Sequence, residues 1–231
     1  NAFPAYGYAD MVAAQHLVVT EALKLRRLRL RLVLGASMGG MQTWMWGGLY
    51  PDMMDALMPI ASVPDRITGR NLLWRRLLLQ IARLEETGHP VDRTPSGLGL
   101  ARVLFMIIAG SPARMAESLN NADEADAYIR AVAKDTLEHQ NLPDTTAEFV
   151  ASWDYDPGIL LSRIKAPLRA VNFADDAVNP IELGMLDRMI EQVPGGRAVT
   201  LAATPDSRGH QTLSNPAAWI GELRELLAVA H

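Results

Sequence analysis

One short stretch constrains this chain more than any other: an apolar run that breaks into glycine, serine and glycine and then turns helical. It is RLVLGASMGGMQTWMWGG, residues 31–48. The apolar positions of 29–35 predict a buried strand, and 38–50 predict a helix closed near Tyr-Pro-Asp at 50–52. Between them Gly35, Ser37 and Gly39 form Gly-x-Ser-x-Gly. In a strand-to-helix context that pattern predicts a strained turn with Ser37 exposed at its tip. Bulk at positions 35 and 39 would crowd such a turn. The helix starting at Met38 directs its first N–H groups toward the place where negative charge would develop, so the Met38 N–H is a candidate oxyanion donor. The spacings of a dinucleotide-binding turn and of a P-loop are absent. A glycine-rich turn that only bends, or holds a phosphate, is the plainer alternative.

A serine hydroxyl is a weak nucleophile without a base, and the base needs an orienting acid. On this kind of scaffold the chain order is serine, acid, histidine. There are five histidines, at 16, 89, 139, 210 and 231. His16 and His139 fall in predicted helices and His231 ends the chain. His210, in RGHQTL between the last strand and the last helix, is the preferred base. The acid should close the strand predicted at 167–174, where FADDAVNP offers Asp175 and Asp176. Asp176 is chosen as the acid, with Asp175 capping the loop or facing solvent, and Asp206 is a distant third.

The rest of the chain alternates strand and helix, which predicts a mostly parallel sheet flanked by helices. Helix 9–25, strand 29–35, helix 38–50 and strand 55–61 come first. Residues from about 65 to 150 contain only helical patterns: 70–86, 98–109, 112–136 and 145–153. Strand 167–174 follows, then a helix from Pro180 capped by Asn179, strand 198–203 and a helix from Asn215-Pro216 burying Trp219, Ile220, Leu223 and Leu227. The expected organisation is an α/β core over 1–64 and 154–231, with an all-helical lid over 65–153.

Composition narrows the class. The chain has 231 residues, 49% of them hydrophobic, a net charge of -4 and no cysteine. That is enough apolar content for a core, with no basic patch for nucleic acid and no thiolate chemistry. No apolar run reaches the roughly 18 residues of a membrane span. No cofactor or metal is implied, because no His/Asp/Glu set has ligand spacing. Localisation stays open, cytoplasmic or periplasmic.

Taken together, RLVLGASMGGMQ, the following Tyr-Pro-Asp, the strand ending in Asp-x-x-x-Pro and the final Gly-His resemble the homoserine O-acetyltransferase branch of the α/β-hydrolase superfamily. The opening FPAYGYADMVAAQHLVV is also similar to the segment before the serine in that branch. The resemblance covers residues 3–62 and 167–212. It implies an α/β-hydrolase fold, with Ser37 as nucleophile, Asp176 as acid and His210 as base. Two departures stand out. Gln211 occupies the position where acetyltransferases of this branch carry an aspartate for the substrate amine. TWMWGG follows Gln42 where they carry Ala-Leu-Glu-Trp. Both point away from a zwitterionic acceptor and toward ester hydrolysis.

The expected activity is therefore that of a serine enzyme acting on a small-molecule ester through an acyl-enzyme. Acyl transfer to a small alcohol is the alternative, and a non-catalytic binding protein is a second one. Met41, Arg66, Arg70 and Gln211 are the candidate substrate contacts, the arginines through a bidentate fork on a carboxylate. Trp44, Met45 and Trp46 are expected in the core of the helix. The superfamily sheet has about twice the strands found here. The expectation is thus a C-terminal piece of a longer chain that starts upstream of Asn1. The N-terminal polypeptide segment of the same precursor, cleaved or merely separate, would complete the sheet and the oxyanion hole. A homodimer is compatible with this plan.

Overall fold

The computed structural model describes residues 4–23, 29–83 and 96–230. The predicted helix ends at 25 and 86, and His89 and His231, lie outside the described residues. The chain divides into two compact units: residues 1–66 with 154–231, and residues 67–153.

The first unit is built on four parallel strands in the order β1 (Val33–Ala36), β2 (Leu57–Ile60), β3 (Leu168–Phe173) and β4 (Gly196–Leu201). Val33 pairs with Leu57, Ile60 with Val171, and Phe173 with Leu201. Every residue of β2 and β3 is buried. Strands covered on both faces tolerate continuous apolar runs such as LMPI, while LRAVNF, equally buried, includes Arg169 and Asn172, both of them hydrogen-bonded. Met58, Ile60, Val171 and Phe173 pack with Leu226 of the last helix, α9 (Pro216–Val229), and with Ala230 just beyond it. Each such side chain contributes about 1.5–3 kcal/mol by leaving water. The deepest residue of α9 is Leu226, which the sequence pattern did not single out, while Trp219 and Leu223 pack only partly buried.

Helix α1 (Tyr8–Leu17) continues into a single wider π turn, Val18–Ala22. Helix α2 (Met38–Leu49) lies against β1 and β2. A Cβ at Gly47 would meet the Leu57 side chain, and one at Gly48 would meet Leu160. The paired glycines thus let α2 settle close to the sheet and to the short 3-10 turn Gly158–Arg163.

The stretch after β3 differs from expectation. Pro180 is extended (ψ 127°), Ile181–Leu183 form one 3-10 turn, and left-handed Gly184 precedes α8 (Met185–Ile190). Asn179 therefore caps no helix. Its side chain is committed elsewhere, as described below.

The second unit is all helical: α3 (Gly69–Ala82), α4 (Gly97–Ala109), α5 (Pro112–Ser118), α6 (Ala122–His139) and α7 (Leu142–Val150). The single helix predicted over 112–136 is broken at 119–121. The Asn121 side chain accepts the Glu124 N–H at 3.0 Å, so it starts a new helix rather than continuing the old one. Trp74, Phe105 and Phe149 form the aromatic centre of this unit, with ring centroids 5.8–6.5 Å apart. No single helix among the described residues is long and apolar enough to cross a membrane.

Candidate active site

Ser37 sits between β1 and α2 with φ 52° and ψ -115°, a backbone conformation that L residues rarely adopt. Such a residue costs about 1–3 kcal/mol and persists only where its surroundings over-determine it. Here the Ser37 N–H donates to the Ile60 carbonyl at 2.8 Å, and the Ser37 carbonyl accepts from the Met41 N–H at 2.9 Å. The turn also needs close approach. A Cβ on Gly35 would run into the Gly39 carbonyl and the Thr43 hydroxyl, and one on Gly40 into Ser62 and the Ile60 carbonyl. Gly39 is different from expectation: a Cβ there has nothing within 4 Å among the described residues. The steric requirement falls on Gly35 and Gly40.

His210 arrives from the far end of the sheet. After β4 the chain forms a tight loop in which Arg208 N–H donates to Thr212 Oγ1 at 2.8 Å, and Gly209 takes φ 60°. This presents His210, 2% exposed, at the head of the 3-10 turn Gln211–Ser214. His210 Nε2 lies 2.8 Å from Ser37 Oγ, and its Nδ1 lies 2.8 Å from Asp176 Oδ2. With a carboxylate at Nδ1, the proton belongs there, and Nε2 is left to accept from the Ser37 hydroxyl.

Asp176 is 2% exposed at the carboxyl end of β3. Its Oδ1 accepts the backbone N–H groups of Val178 (2.8 Å) and Asn179 (3.2 Å). Its Oδ2 accepts Asn179 Nδ2 (3.0 Å) beside His210 Nδ1. Burial works against ionisation here, but the His210 ring, the Asn179 side chain and the Val178 N–H outweigh it and hold the carboxyl below its ordinary range. Asp175, the other acid of the pair, instead accepts the Gly209 N–H at 2.9 Å. Asp206 is exposed, with its N–H on Thr204 Oγ1.

Of the residues singled out in the sequence, the structure brings Ser37, Asp176 and His210 together. Met38 follows as the first residue of α2, where a backbone N–H has no carbonyl partner within the helix. Gln211 is half-buried next to His210. Met41, Trp44, Met45 and Trp46 are all buried, with Trp44 Nε1 donating to Ser62 Oγ and Trp46 Nε1 to Gln15 Oε1. Arg66 is an exposed side chain 3.6 Å from Asp156 Oδ2. Arg70 is exposed on α3 in the helical unit. The residue that sequence reasoning missed is Asn179, read there as a helix cap. Its signal is the Asp-x-x-Asn-Pro spacing, which puts an amide three residues after the acid. No group of three His, Asp or Glu that could hold a metal ion occurs among the described residues.

A serine on a strained strand-to-helix turn, in register with a histidine and an aspartate from later loops of one parallel sheet, defines an α/β-hydrolase fold. The known proteins that this chain is similar to agree. No family model matches it. A homoserine O-acetyltransferase of Chlorobium luteolum is 30% identical over 165 residues, 66% of this chain and 43% of that protein. The chain thus spans less than half the length of that relative. Among solved structures, the homoserine O-acetyltransferase of Bacillus anthracis superposes with a TM-score of 0.80 at 17% identity, covering 99% of this chain and 67% of that one. An acetylester hydrolase from Corynebacterium glutamicum gives 0.81 at 18% identity, covering 98% and 68%. The fold is therefore the α/β-hydrolase fold, and the sequence resembles its homoserine O-acetyltransferase branch.

Proposed function

We propose that this chain carries the nucleophile, acid and base of a serine enzyme that cleaves a carboxylic ester through an acyl-enzyme. One observation carries the reading: His210 is within 2.8 Å of both Ser37 Oγ and Asp176 Oδ2. Ser37 Oγ attacks the ester carbonyl while Nε2 takes its proton. Asp176 holds the ring in the tautomer that can accept and stabilises the imidazolium. The Met38 N–H, at the start of α2, is one donor to the oxyanion. Collapse of the tetrahedral intermediate expels the alcohol, which takes the proton from Nε2 and leaves Ser37 acylated. Water, deprotonated by the same nitrogen, then attacks the acyl carbon; the bond to Ser37 Oγ breaks, the serine takes the proton back from Nε2, and the acid is released.

The relatives are longer than this chain, which spans 43% of the Chlorobium protein. In this reading the second oxyanion donor comes from a polypeptide segment beyond residues 1–231. That segment would also pair with β1, which is an edge strand among the described residues and carries an exposed Leu34. The helical unit serves as the lid that governs which molecules reach the acyl-enzyme. Met41, Arg66, Arg70 and Gln211 are the residues we assign to substrate contact.

A second reading, acyl transfer to a small alcohol, is favoured by the similarity to homoserine O-acetyltransferases. The chemistry is the same up to the acyl-enzyme, and only the final acceptor differs. The test is treatment of the full protein with a fluorophosphonate, followed by turnover of a short-chain ester with and without added homoserine. A single adduct on Ser37, lost in Ser37→Ala, supports the serine enzyme. Acylated homoserine among the products would select the transferase, and free acid at high acceptor concentration the hydrolase. A protein that binds ester but takes no adduct would sink both.

A further inference from the structure

We propose that Asn179 is a positioning residue that locks the acid of this site to the nucleophile turn through the end of β2. The inference rests on the reading of Ser37, His210 and Asp176 given above. Asn179 is 6% exposed, and its Nδ2 donates twice: to Asp176 Oδ2 at 3.0 Å and to the Ala61 carbonyl at 2.9 Å. Both donors of the amide nitrogen are therefore committed.

Ala61 is not an ordinary partner. It follows the last residue of β2 and has φ 51°, one of two positive-φ non-glycine residues among those described, the other being Ser37. Its N–H donates to the Val171 carbonyl at 2.8 Å, and the next N–H, of Ser62, donates to Asn172 Oδ1 at 3.0 Å. Immediately before it, the Ile60 carbonyl accepts the Ser37 N–H at 2.8 Å. The two left-handed residues thus meet at the end of one strand. Ser37 is tied there by its backbone, and Asp176 is tied there by Asn179.

The bonds close a cycle. It runs from Ser37 to Ile60 and Ala61, across Asn179 to Asp176, on to His210 and back to Ser37 Oγ. Without Asn179 the acid and base would be held to each other and to their own loops, but not through this route to the turn that aims the hydroxyl. The amide also shares Oδ2 with His210, so it fixes the oxygen on which the ring pivots. A misplacement of an ångström is enough to cost about a hundredfold in rate at such a site. Asn179 touches neither substrate nor reacting atoms. Its effect should appear in kcat rather than KM.

The experiment uses the full protein and two variants. Asn179→Ala removes both donors. Asn179→Asp keeps the size but sets a carboxylate against Asp176 and the Ala61 carbonyl. Both should lose about tenfold or more in kcat for a short-chain ester, with KM within about twofold, and both should weaken or shift the downfield proton resonance of His210 Nδ1–H. Leu226→Val, a core change on α9, should lower the thermal midpoint while leaving kcat and that resonance in place. Asn179 variants that keep kcat within twofold and leave the resonance unmoved overturn the proposal, as does a loss of kcat no larger than that of Leu226→Val at equal midpoint. If the wild-type protein takes no fluorophosphonate adduct, the proposed function fails, and the resonance alone decides the role of Asn179. If neither variant folds, the side-chain amide protons of Asn179 in the wild-type protein decide it. Slow exchange supports the clamp, and exchange as fast as that of exposed asparagines overturns it.

Discussion

Asp175 accepts the backbone N–H of Gly209 at 2.9 Å, so the two adjacent aspartates of one loop hold two successive residues of another. Asp176 takes the imidazole and Asp175 takes the peptide that precedes it. Gly209 itself is left-handed, with φ 60°, in the tight loop that brings this N–H to Asp175. Asp175→Ala should free the loop and lower ester kcat roughly tenfold, the scale expected when a base is held less firmly. Asp175→Asn keeps a carbonyl oxygen for Gly209 and should stay within about threefold. Equal losses in the two variants, measured by steady-state turnover, would show that the charge matters and not the tether.

Asp176→Asn should be far more severe, on the order of a 10⁴-fold fall in kcat, because an amide in place of the carboxylate supports the wrong imidazole tautomer. The same residue sets an acid limit on stability. Burial alone would raise its pKa, but the hydrogen bonds from His210, Asn179 and Val178 leave it lowered in the fold. A carboxyl depressed in this way stabilises the fold fully above the ordinary aspartate range. That contribution disappears as the pH falls through the lower folded value. Denaturant midpoints of the wild-type protein and of Asp176→Asn should therefore run parallel above the ordinary aspartate range, and below it the wild-type midpoint should drop more steeply. Curves that stay parallel below that range would contradict the assignment.

Gly35 and Gly39 flank Ser37 symmetrically in the sequence but not in space. Gly35→Ala forces a methyl into the Gly39 carbonyl and the Thr43 hydroxyl, both of them fixed within α2. A loss of about 2–4 kcal/mol, or failure to fold, is expected. Gly39→Ala enters open space on a helix and should change stability by less than about 1 kcal/mol, in the favourable direction. Chemical denaturation of the two variants side by side measures the difference.

Arg66→Ala should leave the denaturation midpoint almost unchanged. Its pairing with Asp156 spans 3.6 Å between exposed side chains, and such pairs contribute about 0–1 kcal/mol. If Arg66 contacts a substrate carboxylate, KM should rise for acidic esters and stay put for neutral ones. A uniform rise would remove it from the substrate-binding set.

The sequence made the parallel sheet and the serine turn legible because both are local. An apolar run into Gly-x-Ser-x-Gly needs only a dozen residues to be read. Asp176 and His210 were readable through chain order and their place after strands. What the sequence hid was long-range or competitive. Asn179 before a proline looks like a helix cap, and only β2 arriving beside it shows that its amide serves Asp176 and Ala61 instead. Gly39 looked as necessary as Gly35, since a spacing pattern carries no information on which glycine a carbonyl approaches. The break in the helix over 112–136 was written in Asn120-Asn121, but helical periodicity on both sides masked it. Leu226 lies deepest in α9 because it joins the core cluster that includes Met58 and Phe173, a fact of packing that no single helix records.

The hydrogen bond between His210 and Ser37 joins residues 173 positions apart. At a synthesis rate of about 5–20 residues per second, Ser37 leaves the ribosome roughly ten to thirty seconds before His210 exists. During that interval its hydroxyl is no more reactive than that of any other serine. A nascent or truncated chain that stops before His210 therefore carries the serine turn without the histidine that its hydroxyl meets.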